Sequence, residues 1–222
     1  MKINYRKISG LQKSLLRWHG NNGRHHLAWR QPARSEYEIV IAEILLQRTS
    51  AKKVSEVYDS FLQSYPDWSS IVFGGVKRLE QTLQPLGLFR QRAARIMKLA
   101  ELLCEHGCLP GDPNDLESLP MFGQYLTNAI QLQIYGLKKP LLDVNMARVL
   151  ERLFGPRQFA DIRYDPLLQN LACKMVECEE PVKINWAILD FAHSVCKAIK
   201  PSCQQCEFST WCHFHGELKN LD

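Results

Sequence analysis

Residues 116–152, LESLPMFGQYLTNAIQLQIYGLKKPLLDVNMARVLER, constrain what this chain can fold into more than any other stretch. Leu116 and Leu119 precede a short turn at Pro120 to Gly123. After it, Tyr125, Ala129, Leu132 and Ile134 recur at helical steps as far as Gly136, a residue suited to end a helix. The pattern predicts two helices joined by a turn. Backbone amides exposed by such a turn, at the start of the helix that follows, form a small anion site suited to a phosphate. Farther on, Asp143 opens another helical pattern, with Leu142, Met146, Val149, Leu150 and Leu153 inward and Gly155-Pro156 at its end. Aspartate is among the best helix caps, so position alone supports a structural role for Asp143 as readily as a catalytic one.

The flanking sequence is helical in the same way. Residues 37–50, YEIVIAEILLQRTS, are apolar on nearly every side apart from Glu43. A carboxylate among Ile41, Ala42, Ile44 and Leu45 either points out of the protein or sits in a cleft, where desolvation favours its acid form. Gln47, Arg48, Thr49 and Ser50 bring polar groups to the end of that helix, and Ser50 is placed to cap the next. Val54, Val57, Tyr58, Phe61, Leu62 and Tyr65 predict one amphipathic helix. Further helices are expected over 69–73, 76–84 and 90–106, the last with Arg90, Arg92 and Arg95 outward. A helical segment from Leu11 is expected to break at Gly20-Asn21-Asn22-Gly23, and one from Pro181 to run into a cysteine-rich tail. No alternating strand pattern of useful length occurs, which makes the expected fold class all-α.

Composition sets the remaining bounds. With 222 residues, 45% of them hydrophobic, the chain can bury one generous core or two small ones. No apolar run approaches the roughly 20 residues a membrane span needs, and residues 1–10 are not a secretory signal, so an intracellular protein with no membrane partner is expected. A net charge of +5 suits a polyanion without demanding one. His25 and His26 read as a solvated pair rather than metal ligands. Eight cysteines in such a chain argue against a disulfide framework. Cys104, Cys108, Cys173 and Cys178 read as small buried hydrophobes. Cys196, Cys203, Cys206 and Cys212, separated by six, two and five residues, close four thiolates into one compact loop. One CxxC with a single cysteine on each side matches a [4Fe–4S] cluster better than zinc. Lys197 and Lys200 project from the loop, which suggests a structural cluster shaping a basic surface for phosphate contacts.

Taken together, the turn Leu-Pro-Met-Phe-Gly, the acid in Leu-Leu-Asp-Val-Asn-Met-Ala-Arg-Val-Leu and the cysteine run resemble the endonuclease III superfamily of helix–hairpin–helix DNA glycosylases, over roughly Leu15 to Phe214. The resemblance implies two all-helical domains: a six-helix barrel over 31–136 bearing the hairpin, and a cluster domain built from 1–30 and 137–222, with double-stranded DNA bound across the cleft between them by a monomer. It assigns Asp143 as the catalytic aspartate and Asn145 as a nearby active-site asparagine. Glu43 matches a pocket acid that contacts or protonates the extruded base, and Arg48, beside Gln47, matches a residue that wedges into the vacated stack. The hairpin residues Met121, Phe122, Gly123 and Gln124 are implied DNA contacts. Tyr125 stands where the lyase branch carries a Schiff-base lysine, so a monofunctional glycosylase without strong lyase activity is implied. The tyrosine and Gln-Arg-Thr look most like enzymes that excise thymine or uracil opposite guanine. The pair Trp29-Arg30 is shared with the adenine branch, the runner-up. A fold that has kept its cluster and lost excision is the non-enzymatic alternative. The sequence departs from the family at Met121, where the hairpin usually has glycine.

Overall fold

The computed structural model of the chain describes residues 5–219, so the reading of residues 1–10 falls partly outside it. Among the described residues every regular element is a helix, as the all-α expectation requires, and no helix is long and apolar enough to cross a membrane. The chain forms two compact units. One is the continuous stretch His25–Tyr135, and the other joins the chain through Arg24 to the chain from Gly136 onward.

In the end-built unit the first helix, α1 (Tyr5–Asn22), buries Ile8, Leu11 and Leu15. It runs through the expected break and stops only at Gly23, whose amide bonds the His19 carbonyl at 2.7 Å. A Cβ on Gly23 would lie 2.7 Å from the His19 ring, so only glycine turns the chain this tightly.

The central unit begins with Leu27 and Trp29 buried in its core, although the sequence groups residues 25–30 with the chain ends. Helix α2 (Glu36–Leu46) starts with a reciprocal capping box between Ser35 and Glu38 and buries Val40 to Leu45 without interruption. Ser50 caps α3 (Ala51–Ser55) as expected. The single helix expected over Val54 to Tyr65 is split by a turn at Glu56 and Val57, where φ widens to −119° at Val57, and α4 (Tyr58–Ser64) starts afresh. Its apolar face nonetheless stays buried, since Val54, Tyr58, Phe61 and Tyr65 all enter the core. Helix α5 (Trp68–Leu83) is interrupted at Gly75, whose φ of 74° lies where glycine is at ease. Helix α6 (Phe89–His106) follows, then α7 (Pro113–Ser118), capped by Asp112, and α8 (Gln124–Gln133).

Arg92, expected to face outward, is instead 6% exposed. Its guanidinium donates to the carbonyls of Ile44 (2.7 Å) and Gln47 (2.9 Å) and to the Thr49 hydroxyl (3.0 Å). The exposed carbonyls at the end of α2 need donors, and a buried arginine from α6 supplies them.

Returning to the end-built unit, α9 (Val144–Phe154), α10 (Pro166–Val176), α11 (Pro181–Ser194) and α12 (His213–Lys219) complete it. Met146, Val149, Leu150, Leu168, Leu171, Met175, Ile184, Ile188 and Phe191 form its core with α1. Phe208 stacks edge-on between Phe191 and Trp211, anchoring the cysteine-rich tail to that core. Cys104, Cys108 and Cys173 are exposed rather than buried, because each falls on the outer face of its helix or just past its end.

Candidate active site

Asp143 is the N-cap of α9, in extended backbone geometry. Its Oδ1 accepts from the amides of Asn145 (2.9 Å) and Met146 (2.8 Å), and its Oδ2 accepts from the Asn145 side-chain amide (2.6 Å). Burial pushes its pKa above the ordinary aspartate value, overcoming the bonds from Met146 and Asn145 and the nearby charge of Arg148. The group is thus held in one orientation in a poorly solvated place, where its ionised form acts strongly on any positive charge that develops nearby.

Asn145 is itself held. Its Oδ1 accepts from Arg148 Nη2 (3.2 Å), which also donates to the Ala192 carbonyl (3.0 Å), while Arg148 Nε donates to the carbonyl of Cys196 (2.9 Å). A continuous hydrogen-bonded path therefore runs from the cysteine loop through Arg148 and Asn145 to Asp143. Sequence reasoning found both ends of this path and missed Arg148. The available signal was its position one turn beyond Asn145 on the same helix.

In the central unit, Glu43 is 6% exposed, so of its two sequence readings the structure selects burial. Gln133, at the end of α8, donates its amide to Glu43 Oε1 at 2.7 Å, a partner that nothing local in the sequence revealed. Gln47 donates to the Met121 carbonyl at 3.2 Å and so ties the end of α2 to the hairpin turn. Met121 adopts a left-handed conformation (φ 74°), the geometry that glycine usually supplies, so the turn keeps its path at an energetic cost. Arg48 (φ 56°) and Leu88 (φ 51°) are left-handed as well. All three line one cavity of about 200 Å³ with Gln47, Gln91, Arg92 and Arg95. Phe122 does not join that surface. It is 8% exposed and packs into the central core. Gly123 is the exposed N-cap of α8 and has no side chain to offer the first-turn amides, while Gln124 and Tyr125 are half-buried in that first turn.

Cys196, Cys203, Cys206 and Cys212 are half-buried and form no disulfide. Burial pushes up the pKa values of Cys203, Cys212 and Cys206, the last to about 11, and the neighbouring sulfurs push each further. As thiolates these sulfurs would repel one another, and a metal centre bound to them would relieve that repulsion. Among the described residues, however, no three His, Cys, Asp or Glu side chains converge as the ligands of a metal ion would. Arg152 organises the loop: its guanidinium donates to the carbonyls of Lys197 (2.6 Å) and Ala198 (3.2 Å) and lies 3.5 Å from the Cys196 sulfur. Lys197 and Lys200 are exposed on this loop, Lys200 in left-handed geometry.

An all-helical chain with a capped, desolvated aspartate and a hairpin turn defines a class, and comparison with known proteins identifies it. The family described as HhH-GPD superfamily base excision DNA repair protein matches residues 41–171. The chain is 34% identical over 209 residues to a thymine/uracil-DNA glycosylase of Pyrobaculum aerophilum, covering 92% of this chain and 89% of that one. It is 30% identical over 215 residues to a thymine-DNA glycosylase of Aeropyrum pernix, covering 95% and 96%. A solved structure described as a thermostable thymine-DNA glycosylase superposes with a TM-score of 0.85 at 27% identity, covering 96% of this chain and 98% of that one. The chain belongs to the HhH-GPD superfamily of base excision DNA repair proteins.

Proposed function

We propose that this protein is a monofunctional DNA glycosylase that hydrolyses the N-glycosidic bond of thymine or uracil paired with guanine in duplex DNA. The observation that carries the reading is the Asp143 carboxylate, desolvated and fixed by two amides and Asn145, in a chain whose corresponding lyase position is Tyr125. In its ionised form Asp143 stabilises the oxocarbenium-like sugar as the base departs and orients the attacking water. A phenol cannot form an imine with the sugar, so the reaction stops at an abasic site. Glu43, oriented by Gln133, contacts the extruded base or gives it a proton. A mismatched base costs less to extrude, and weak pairing itself contributes selectivity.

The first-turn amides of α8 and the turn at Met121 and Gly123 hold a phosphate. Gln124 adds a polar side chain there, Arg48 and Gln47 occupy the gap in the stack, and Lys197 and Lys200 contact backbone phosphates. Cys196, Cys203, Cys206 and Cys212 fit a [4Fe–4S] cluster by donor chemistry. Bound there, it would shape the basic loop and supply no chemical step. Purified protein should contain iron and labile sulfide, and stoichiometric zinc without iron would replace the cluster in this reading.

Single-turnover assays on duplexes carrying thymine, uracil or adenine opposite guanine, and adenine opposite 8-oxoguanine, test the proposal. Release of thymine or uracil supports it. Release of adenine alone favours the second reading, adenine excision, for which Glu43 and the Trp29-Arg30 pair speak. Binding without release from any duplex favours a non-catalytic protein. Borohydride trapping of the protein on DNA would show that it is a lyase.

A further inference from the structure

Helix α11 is apolar along its inner face, with Ile184, Ala187, Ile188 and Phe191, yet two fully buried polar residues interrupt that face. Asp190 is matched by charge, accepting from the backbone amide (2.8 Å) and Nε (2.6 Å) of Arg24. Asn185, at 0% exposure, answers no charge. Its Oδ1 accepts from the Leu141 amide at 2.7 Å, and its Nδ2 donates to the carbonyls of Lys139 (3.1 Å) and Pro181 (2.8 Å).

These bonds hold the segment that delivers Asp143. Residues 136–143 lie in no helix, while Pro140, Leu141 and Leu142 are buried. Buried irregular backbone must find partners outside regular structure. A carboxamide carries both acceptor and donors, so one side chain serves an amide and a carbonyl on the same segment and anchors them to the first turn of α11. The bonds the Asp143 carboxylate makes itself all go to the first turn of α9 and not to the approaching chain. Its backbone orientation follows Leu142, one residue past the clamp.

We propose that Asn185 is a positioning residue for the excision reaction: by clamping residues 139–141 it sets where the Asp143 carboxylate meets the sugar. This rests on the reading of Asp143 as the catalytic carboxylate. Asn185→Asp keeps the size and the acceptor for Leu141 but loses both donors. Asn185→Thr keeps an acceptor in a smaller side chain and serves if the first variant does not fold. The readout is the split between single-turnover rate and DNA affinity on a thymine·guanine duplex, well below each variant's melting temperature. Asp165→Asn, which keeps the cap of α10 in the same unit but replaces the buried oxygen that accepts from the Gln158 and Phe159 amides, is the control for destabilisation.

The expected result is a rate lower by on the order of 10- to 100-fold with unchanged affinity for Asn185 variants. Asp165→Asn should melt earlier and keep its rate. A folded Asn185 variant that excises at the wild-type rate overturns the proposal, as does an equal rate loss in Asp165→Asn. Asp143→Asn run alongside separates the two levels. If that variant excises normally, the catalytic reading fails. If it is inactive while the Asn185 variants are unimpaired, only the clamp fails.

Discussion

The starts of α8 and α9 solve the same problem in opposite ways. Every helix begins with amides that lack intrahelical partners. At α8 the cap is Gly123, exposed and without a side chain, so no cap side chain takes the first-turn amides. At α9 the cap is Asp143, whose carboxylate takes the amides of Asn145 and Met146 for itself. One helix start carries no side-chain cap, and the other is closed by the carboxylate that it fixes. The cost differs too: the turn before the uncapped start has Met121 in left-handed backbone, and the capped start holds a carboxylate in a desolvated place.

The strongest way to break this contrast is Asp143→Asn. Asparagine caps helices as well as aspartate, so α9 should form normally while single-turnover excision falls by about 10³-fold or more. Arg148→Met is expected to come next. It removes the support of Asn145 and the link to the Cys196 carbonyl, and excision should slow by on the order of 10- to 100-fold with DNA binding retained. In the turn before α8, Met121→Val places a β-branched residue in left-handed geometry and should destabilise the protein by about 1 kcal/mol in denaturant titration. Its DNA affinity should fall while the excision rate of bound substrate holds, and Met121→Gly should show neither loss.

The smallest effects concern protons. Because burial raises the Asp143 pKa, the ionised form is lost on acidification sooner than an exposed aspartate would lose it. Excision should therefore decline as pH falls through that raised value. Stability runs the other way. The folded state holds the proton more tightly than the unfolded chain, so ionisation costs stability as pH rises through the folded pKa. Asp143→Asn should accordingly melt at or above the wild-type temperature at neutral pH, and the two should converge in acid, where both side chains are neutral.

Much of this contrast is legible in the residues themselves. Asp143 before Met146, Val149 and Leu150 announces a capped amphipathic helix, because capping and periodicity are local. Glycine before α8 and the cysteine spacing are local too. Arg92 departs from expectation for the complementary reason: its helical position resembles that of Arg90 and Arg95, and only the end of α2, remote in sequence, makes its burial favourable. The break at Val57 is likewise hidden in the sequence, because the apolar period runs straight across it. Phe122 looked like part of an exposed turn, although an aromatic ring beside a core gains more from burial than from solvent.

The sequence alone determined the helical class, the hairpin and the acid, together with the set of cysteines, since these depend on near-neighbour propensity, caps and spacing. It also carried the family resemblance. Only the tertiary structure decided which polar groups are enclosed and who serves them: Gln133 on Glu43, Arg148 on the Cys196 carbonyl, Arg92 on the end of α2 and Asn185 on the segment before Asp143. A buried hydrogen bond between residues far apart in the chain leaves no periodic trace. Its partners are chosen by packing, which brings an unsatisfied group and a matching side chain to the same place.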